Sequence, residues 1–234
     1  MRLLAMSASE PRGECKNMQD RAARTRALIV DTAAAEFARE GYDGVTYRQI
    51  AAAAGVSIGS LTFHFASKSD LADTVLEEGR RAAQQVVQRV AGQGGPALQQ
   101  VLNIAVELTR LLEQDIRAWG ALRLTRDRPQ AVSWSGLYLP TVHGLLLQAR
   151  AAGELRAASP PEDLSVLVEH LVNGAEGYLR DRIAGQPGAE DPSERLHKIW
   201  RLVLDGVSPA PLAPSVPPDL PAPRGLQEGD RTAP

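Results

Sequence analysis

Residues 46–65 constrain the fold of this chain more than any other stretch. They read TYRQIAAAAGVSIGSLTFHF. Thr46 and Gln49 form a capping box, because the hydroxyl and the amide each bind a free backbone N–H group at the start of a helix. The four alanines that follow favour a helix, and Gly55 ends it because glycine tolerates the left-handed conformation. Since Ser57 can cap a second helix, the stretch predicts two short helices joined by a tight turn.

This pattern is typical of a helix-turn-helix, whose second helix can enter the DNA major groove. Residues 44–69 contain no Asp or Glu, although the whole chain has 28 acidic and 26 basic residues. A carboxylate in this stretch would repel phosphate, so its absence fits a surface that faces DNA. An ordinary helical hairpin has the same spacing, and the pattern alone leaves both alternatives open.

Composition narrows the class of protein. The chain has 234 residues, of which 44% are hydrophobic and 23% charged, which indicates a globular protein of one large or two modest domains. A formal charge of −2 argues against a histone-like binder but leaves room for a local basic face. Cys15 is the single cysteine and cannot form an internal disulfide. No run approaches the roughly 18 apolar residues of a membrane helix, so we expect a cytoplasmic protein without a membrane partner.

Apolar residues recur at helical spacing along the chain and nowhere alternate as in a strand, so we predict an all-α fold. Residues 1–19 lack periodicity and are expected to be a disordered arm. A cluster of helix breakers at 92–96 separates a helical region at 20–92 from another at 93–207. The tail at 208–234 is rich in proline and poor in large apolar residues, so it is expected to be disordered.

A family resemblance rests on an ungapped stretch at about 24–76. The residues that carry it are Phe37, Gly41, Tyr42, the helix at 46–55, Val56, Ser57, LTFHF at 61–65 and SKSDL at 67–71. Together they resemble the TetR family of bacterial repressors. The resemblance implies a homodimer with an N-terminal domain for operator DNA (20–92) and a C-terminal domain for dimerisation and a small-molecule effector (93–207).

Two positions depart from the usual pattern of that family. Lysine is common where Ile58 stands, and tyrosine is common at Thr62, where its hydroxyl meets a phosphate. Ile58 cannot pair with phosphate, so we expect a lower DNA affinity or a shifted sequence preference. The fold is unaffected by either change.

Nine side chains are candidates for DNA contact. They are Arg24, Thr46, Arg48, Ser57, Ile58, Ser60, Thr62, His64 and Lys68. We expect base readout from the exposed face of residues 57–62 and phosphate contacts mainly from Thr46, His64 and Lys68. Lys68 lies in the first turn of a helix, where the helix dipole disfavours a cation, and a phosphate at the same helix end would account for it.

A second, shorter resemblance concerns the branch of the family. Residues 117–118 and 120–125, followed by a helix with aromatic residues, are similar to the γ-butyrolactone receptors of actinomycetes, as are residues 61–66 apart from Thr62. Such receptors sense small lactone, butenolide or furan signals and control antibiotic gene clusters. Related pseudo-receptors bind the antibiotics themselves.

Six residues of the C-terminal domain are candidates for effector binding, since pockets are usually apolar and aromatic with a few polar groups. They are Trp119, Leu122, Gln130, Trp134, Tyr138 and Thr141. Each aromatic residue of this set could equally belong to the core. We assign Trp200 to the core or to the dimer interface. In the resembled family the last two long helices, here about 160–184 and 192–206, form the dimer interface, although their apolar faces could be buried within one subunit.

The leading hypothesis is therefore a repressor that a ligand releases from DNA. The alternatives are a pseudo-receptor for an antibiotic or another hydrophobic compound, and a helical binding protein that has lost DNA binding. An enzyme is not expected, because the sequence has no glycine-rich phosphate loop, no nucleophile elbow and no metal-ligand spacing. We expect no cofactor.

Overall fold

The computed structural model describes residues 11–128, 131–183 and 191–209, which form helices and no strand. The helices are α1 (Pro11–Gly44), α2 (Tyr47–Ala53), α3 (Ile58–His64), α4 (Lys68–Ala91), α5 (Ala97–Gln114), α6 (Ile116–Asp127), α7 (Leu139–Ala151), α8 (Pro161–Ile183) and α9 (Pro192–Val207), with a 3-10 turn at Ser135–Leu137. The prediction of an all-α fold is confirmed. None of the described helices is long and apolar enough to cross a membrane.

The chain divides into two compact units. One comprises residues 1–89 and 111–140, and the other comprises residues 90–110 and 141–234. The first unit therefore contains α6 as well as the helix-turn-helix. Units of contact need not coincide with functional domains, so the predicted division at residue 93 stays a prediction.

The first helix of the first unit starts earlier than predicted. Because α1 begins at Pro11, residues 11–19 are helical and not a disordered arm, and residues 1–10 lie outside the described part of the chain. A solvated extension of a helix needs no apolar stripe, which is why periodicity did not reveal it. Gly41 interrupts the helical conformation with φ 75°.

The two short helices are capped by the predicted residues. The Thr46 hydroxyl accepts from the Gln49 backbone N–H at 3.2 Å, and the Gln49 side chain accepts from the Thr46 N–H at 2.7 Å. Gly55 takes the left-handed conformation between them, with φ 65°. The Ser57 hydroxyl accepts from the Ser60 N–H at 3.0 Å and begins α3. The helix-turn-helix prediction is confirmed in each of these details.

In the second unit, carboxylates fix the starts of two helices. Glu154 accepts from the backbone N–H groups of Ala97 and Leu98 at 3.1 and 2.8 Å, and so caps α5 from a distant part of the chain. Asp191 caps α9 by accepting from the Ser193 N–H at 2.9 Å. Carboxylates are favoured at these positions because they satisfy free N–H groups and complement the helix dipole.

The core of the second unit draws buried apolar residues from α5, α7, α8 and α9. Trp200, Leu196 and Leu204 of α9 are buried, and so are Val168 and Val172 of α8. The Trp200 indole N–H has no hydrogen-bond partner among the described residues. The assignment of Trp200 to a core is confirmed. The predicted disordered tail falls outside the described residues after residue 209.

Candidate functional site

The outward face of α3 is open to solvent and contains no acidic, lysine or arginine side chain. Leu61 and Phe65 are buried, which fixes the side of the helix that faces the core. Phe63 lies on the opposite side and is 81% exposed, while Ile58 in the first turn is 43% exposed. The predicted readout face at residues 57–62 is thus accessible apart from Leu61.

The hydroxyl groups of α3 are partly used within the helix. Ser57 accepts from the Ser60 backbone N–H, so its own hydrogen remains available for donation. Thr62 donates its hydroxyl hydrogen to the Ile58 carbonyl at 2.8 Å, which leaves its oxygen as an acceptor only. These two side chains can therefore make different kinds of polar contact from the same face.

Four other predicted contact residues occupy accessible or half-buried positions around α3. Thr46 and Arg48 are exposed at the start of α2, and Arg24 is exposed on α1. His64 is half-buried at the end of α3, with the Phe63 ring edge-on to its imidazole at 5.2 Å between centroids. The positions suit contacts with a polyanion, and the contacts themselves stay predictions.

Lys68 has structural partners that the sequence did not reveal. Its ammonium donates to the carbonyl oxygens of Tyr42 and Val45, both at 3.0 Å, and lies 4.1 Å from the centroid of the Tyr42 ring. These carbonyls account for a cation in the first turn of α4 without a phosphate. An ammonium group has three donors, so one N–H remains for the predicted phosphate contact.

The candidate effector residues do not all fall in one unit. Trp119, Leu122, Trp134 and Tyr138 are buried in the first unit. Thr141 is half-buried and falls in the second unit, and the candidate Gln130 lies outside the described residues.

One buried donor stands out among the effector candidates. The indole N–H of Trp134 is buried and has no hydrogen-bond partner among the described residues. A buried donor without a partner destabilises the fold, and it is available to an oxygen atom of a ligand. No group of three or more His, Cys, Asp or Glu side chains in the described residues is arranged to hold a metal ion.

The start of α6, the helix that carries Trp119 and Leu122, is tied to two helices of the same unit. The Arg117 guanidinium donates to Asp31 of α1 and, at 2.6 Å, to Glu78 of α4. The hydrogen bond to Asp31, more than the charge of Glu78, raises the pKa of Arg117. Because all three side chains are partly exposed, these pairs define geometry more than they add stability.

The end of α6 is tied to the same two helices. The Asp127 carboxylate accepts from the Tyr42 backbone N–H at 2.8 Å, in the last turn of α1. Arg128, which caps α6, pairs with Asp73 and donates to the Ser69 hydroxyl at 3.2 Å, both in α4. Polar contacts thus anchor α6 at both ends.

Between these ends, two glycines bring the helix backbones close together. A Cβ atom on Gly120 of α6 would lie 2.6 Å from the Ala34 carbonyl oxygen of α1. A Cβ atom on Gly79 of α4 would lie 2.9 Å from the Arg117 carbonyl oxygen and would overlap the side chain of Ala121. Only glycine permits this approach.

Sequence reasoning missed the contacts that hold α6. Arg117 and Gly120 entered only as letters of a short resemblance, and Asp127 and Arg128 were assigned to no site. A signal was present nonetheless, since a glycine inside a helical pattern is unfavourable unless a neighbouring element approaches closely. That signal applies to Gly79 and Gly120, but it does not name their partners.

Comparison with known proteins gives a consistent set of similarities. Residues 29–75 match a family described as bacterial regulatory proteins, tetR family. A γ-butyrolactone receptor described as ArpA-like is 28% identical over 81% of this chain and 90% of that chain, with a TM-score of 0.67. CprB from Streptomyces coelicolor, solved with its biological operator sequence, is 28% identical over 81% of this chain and 90% of its own, with a TM-score of 0.65. TylP, a TetR regulator from Streptomyces fradiae, is 31% identical over 80% and 88%, with a TM-score of 0.55. No curated protein matches the chain.

The close approach of α6 to α1 yields a stability prediction. In Gly120→Ala the added methyl group meets backbone atoms of Ala34, so the helices must separate, and we expect the free energy of unfolding to fall by about 1–3 kcal/mol. Urea unfolding followed by circular dichroism measures it.

The matched control is Gly144→Ala in α7, where a Cβ atom meets nothing within 4 Å. There we expect a gain of up to about 1 kcal/mol, because alanine favours the helix more than glycine does. Equal stability changes in the two variants would contradict the close approach.

Proposed function

Because the chain belongs to the TetR family of bacterial regulatory proteins, we propose that it is a repressor that binds a palindromic operator as a homodimer and is released by a small signalling molecule. The sequence predicted a member of the TetR family and a regulator, not an enzyme, and both predictions are confirmed. The chain is also similar to the γ-butyrolactone-receptor branch. The effector of this proposal is a γ-butyrolactone, butenolide or furan, and its target genes concern antibiotic production.

The observation that carries the DNA-binding proposal is the capped α2–turn–α3 unit with a solvent-exposed α3. A second helix presented in this way fits the major groove. No carboxylate occurs in residues 44–69, and Arg48 and Arg24 are exposed near the helix pair. These cations can supply the affinity for phosphate, which depends little on sequence. CprB, at 28% identity, is described with its biological operator, which supports the same partner for this chain.

Exposed apolar side chains on α8 and α9 support the homodimer. Val166 of α8 and Ile199 and Leu202 of α9 are exposed, and Leu202 most of all at 74%. Large apolar groups on a helix face mark a surface that a partner can cover. A palindromic operator requires two recognition helices related by a two-fold axis, which a homodimer of this chain would provide.

Four buried side chains of the first unit support an apolar effector. Trp119, Leu122, Trp134 and Tyr138 offer aromatic and aliphatic surface, and the unpartnered N–H of Trp134 can donate to a carbonyl or ring oxygen. A lactone or furan has both an apolar body and such an oxygen. Gln130 and Thr141 remain candidates from the sequence.

The contacts of α6 suggest how the effector would act on DNA binding. Trp119 and Leu122 belong to the helix that Arg117 and Asp127 tie to α1 and α4. A ligand that favours a displaced α6 would favour displaced α1 and α4, and with them a different placement of α3. The ligand must bind the two conformers with different affinity, since equal binding would shift nothing.

The decisive experiment measures binding of the full chain to a fragment from the upstream region of its own gene at fixed salt. The titration is then repeated with synthetic γ-butyrolactones, butenolides and furans, and with organic extract of the producing culture. Binding that one of the synthetic compounds abolishes is the expected result. Release by extract alone would point to the antibiotic-sensing alternative. If the chain fails to bind the fragment at every salt concentration tested, the repressor proposal is overturned. The result would indicate a helical binding protein that has lost DNA binding, with Ile58 and Thr62 as the cause.

Lys68→Ala tests a phosphate contact. We expect a similar loss of affinity on all DNA sequences, and a slope of log affinity against log salt that is less steep by about one unit per subunit. Loss of the hydrogen bonds to Tyr42 and Val45 should also lower the free energy of unfolding by about 2 kcal/mol. Titrations at several salt concentrations and urea unfolding measure the two effects.

Lys68→Arg is the control, because it keeps the positive charge. If Lys68→Ala lowers the free energy of unfolding but leaves the salt slope unchanged, the role of Lys68 is purely structural. Selective loss at one operator position would also contradict the phosphate contact.

Trp134→Phe tests the effector site, because it removes the indole N–H and keeps an aromatic ring. We expect DNA binding to be unchanged and the affinity for the effector, measured by release of DNA, to fall about fivefold. The loss of one hydrogen bond of about 1 kcal/mol implies a change of this size. Trp200→Phe removes an equally buried and unpartnered N–H from the second unit and serves as the control. Equal effects of the two variants on release would exclude a specific role for Trp134.

A further inference from the structure

The most exposed aromatic side chain near the turn stands on the outer face of α3. Phe63 is 81% exposed and lies two residues after Leu61, which is buried, so its ring points away from the core. Gly59 lies four residues earlier on the same face, where an added Cβ atom would meet only the Ser57 hydroxyl at 3.9 Å. The face therefore presents an apolar ring beside a bare stretch of backbone.

The rest of α3 has little with which to read base edges by hydrogen bonds. None of its seven residues, IGSLTFH, is Arg, Lys, Asn, Gln, Asp or Glu, the side chains that pair with guanine, adenine and cytosine edges. Thr62 has committed its hydroxyl hydrogen to the Ile58 carbonyl. The hydroxyls of Ser57, Ser60 and Thr62 can still bind base edges, and apolar contact is the further chemistry that this face offers.

We propose that Phe63 determines operator sequence by packing against the C5 methyl group of a thymine in the major groove, and that Gly59 permits the close approach this requires. The proposal rests on the proposed function, because it assumes that α3 enters the major groove of operator DNA. The thymine methyl is the apolar group that a base pair displays there, which makes it the complement of an exposed phenyl ring.

Two features of the structure favour a methyl contact over packing on the sugar–phosphate backbone. Phe63 shares the outward face with Gly59, and a helix that lies in the groove directs that face toward the base edges. The Phe63 ring also contacts the His64 imidazole edge-on, with 81° between the planes, so its orientation is supported. A ring on the backbone would add affinity without sequence preference.

The test removes single methyl groups from the DNA and leaves its hydrogen-bonding pattern intact. The probe is a duplex enriched from a random-sequence pool by the full-length wild-type chain. Each thymine of one half-site is replaced in turn by deoxyuridine, and the affinities of wild type and Phe63→Ala are compared. Wild type should lose about fourfold in affinity at one or two positions, as expected for burial of one methyl group. Phe63→Ala should bind the parent duplex more weakly and lose that sensitivity.

Controls separate this effect from a loss of folding. The wild-type comparison involves no protein variant, so it tests methyl readout whatever happens to Phe63→Ala. Leu147→Ala removes another exposed apolar side chain, on α7, and should keep the full deoxyuridine sensitivity. Thermal unfolding of both variants should match that of wild type, because the deleted side chains are solvent-exposed.

Each contrary outcome overturns a specific claim. Wild-type affinity that ignores every deoxyuridine substitution would overturn methyl readout, although the chain would remain a DNA-binding protein. Sensitivity that persists in Phe63→Ala would assign the methyl contact to another residue of α3 and overturn the role of Phe63. A pool from which wild type enriches no sequence would overturn the proposed function, and this inference with it.

Discussion

The distance between three helices of the first unit depends on two glycines in mid-helix, Gly79 of α4 and Gly120 of α6. Each destabilises its own helix by about 1 kcal/mol relative to alanine, so local propensity does not favour either one. What they permit is backbone approach of α6 to α1 and α4, with atoms of Ala34 and Arg117 at distances a Cβ atom would forbid. The polar contacts at the two ends of α6 form at this spacing.

This packing gives α6 a direct connection to the helix-turn-helix. Asp127 accepts from the N–H of Tyr42, the carbonyl of Tyr42 accepts from Lys68, and Lys68 also holds the carbonyl of Val45. Val45 precedes Thr46, the residue that caps α2. Because packed interiors do not deform continuously, a displacement of α6 has to be accommodated along this series of contacts. This series of contacts offers a physical route by which an effector could release the protein from DNA. The driving force would still be the differential affinity of the ligand for two conformers.

The elements that sequence predicted well are those determined by near neighbours. The caps at Thr46 and Ser57 depend on residues three positions away, and the turn at Gly55 depends on one backbone conformation. The contacts of α6 were beyond reach, because Arg117 and Asp31 are 86 residues apart and no periodicity links them. The carbonyl partners of Lys68 were beyond reach for a similar reason, since they lie 23 and 26 residues earlier. Phe63 was overlooked because a seven-residue helix is too short for periodicity to separate its faces.

The composition of α3 suggests that DNA affinity and sequence preference would come from different helices. With no lysine or arginine on α3, the candidates for attraction to phosphate are Arg24, Arg48 and Lys68, which lie on α1, α2 and α4. Their contribution falls with salt, because phosphate contacts release counterions. The proposed apolar contact between Phe63 and a thymine methyl would release none, so its discrimination between sequences would be retained as the total affinity declines. Ile58, which stands where lysine is common in the family, strengthens this division, since it exchanges a charge for apolar surface at the start of the helix. Under this proposal the chain would distinguish operators by their methyl pattern, and the cations on the surrounding helices would supply the affinity for the DNA backbone.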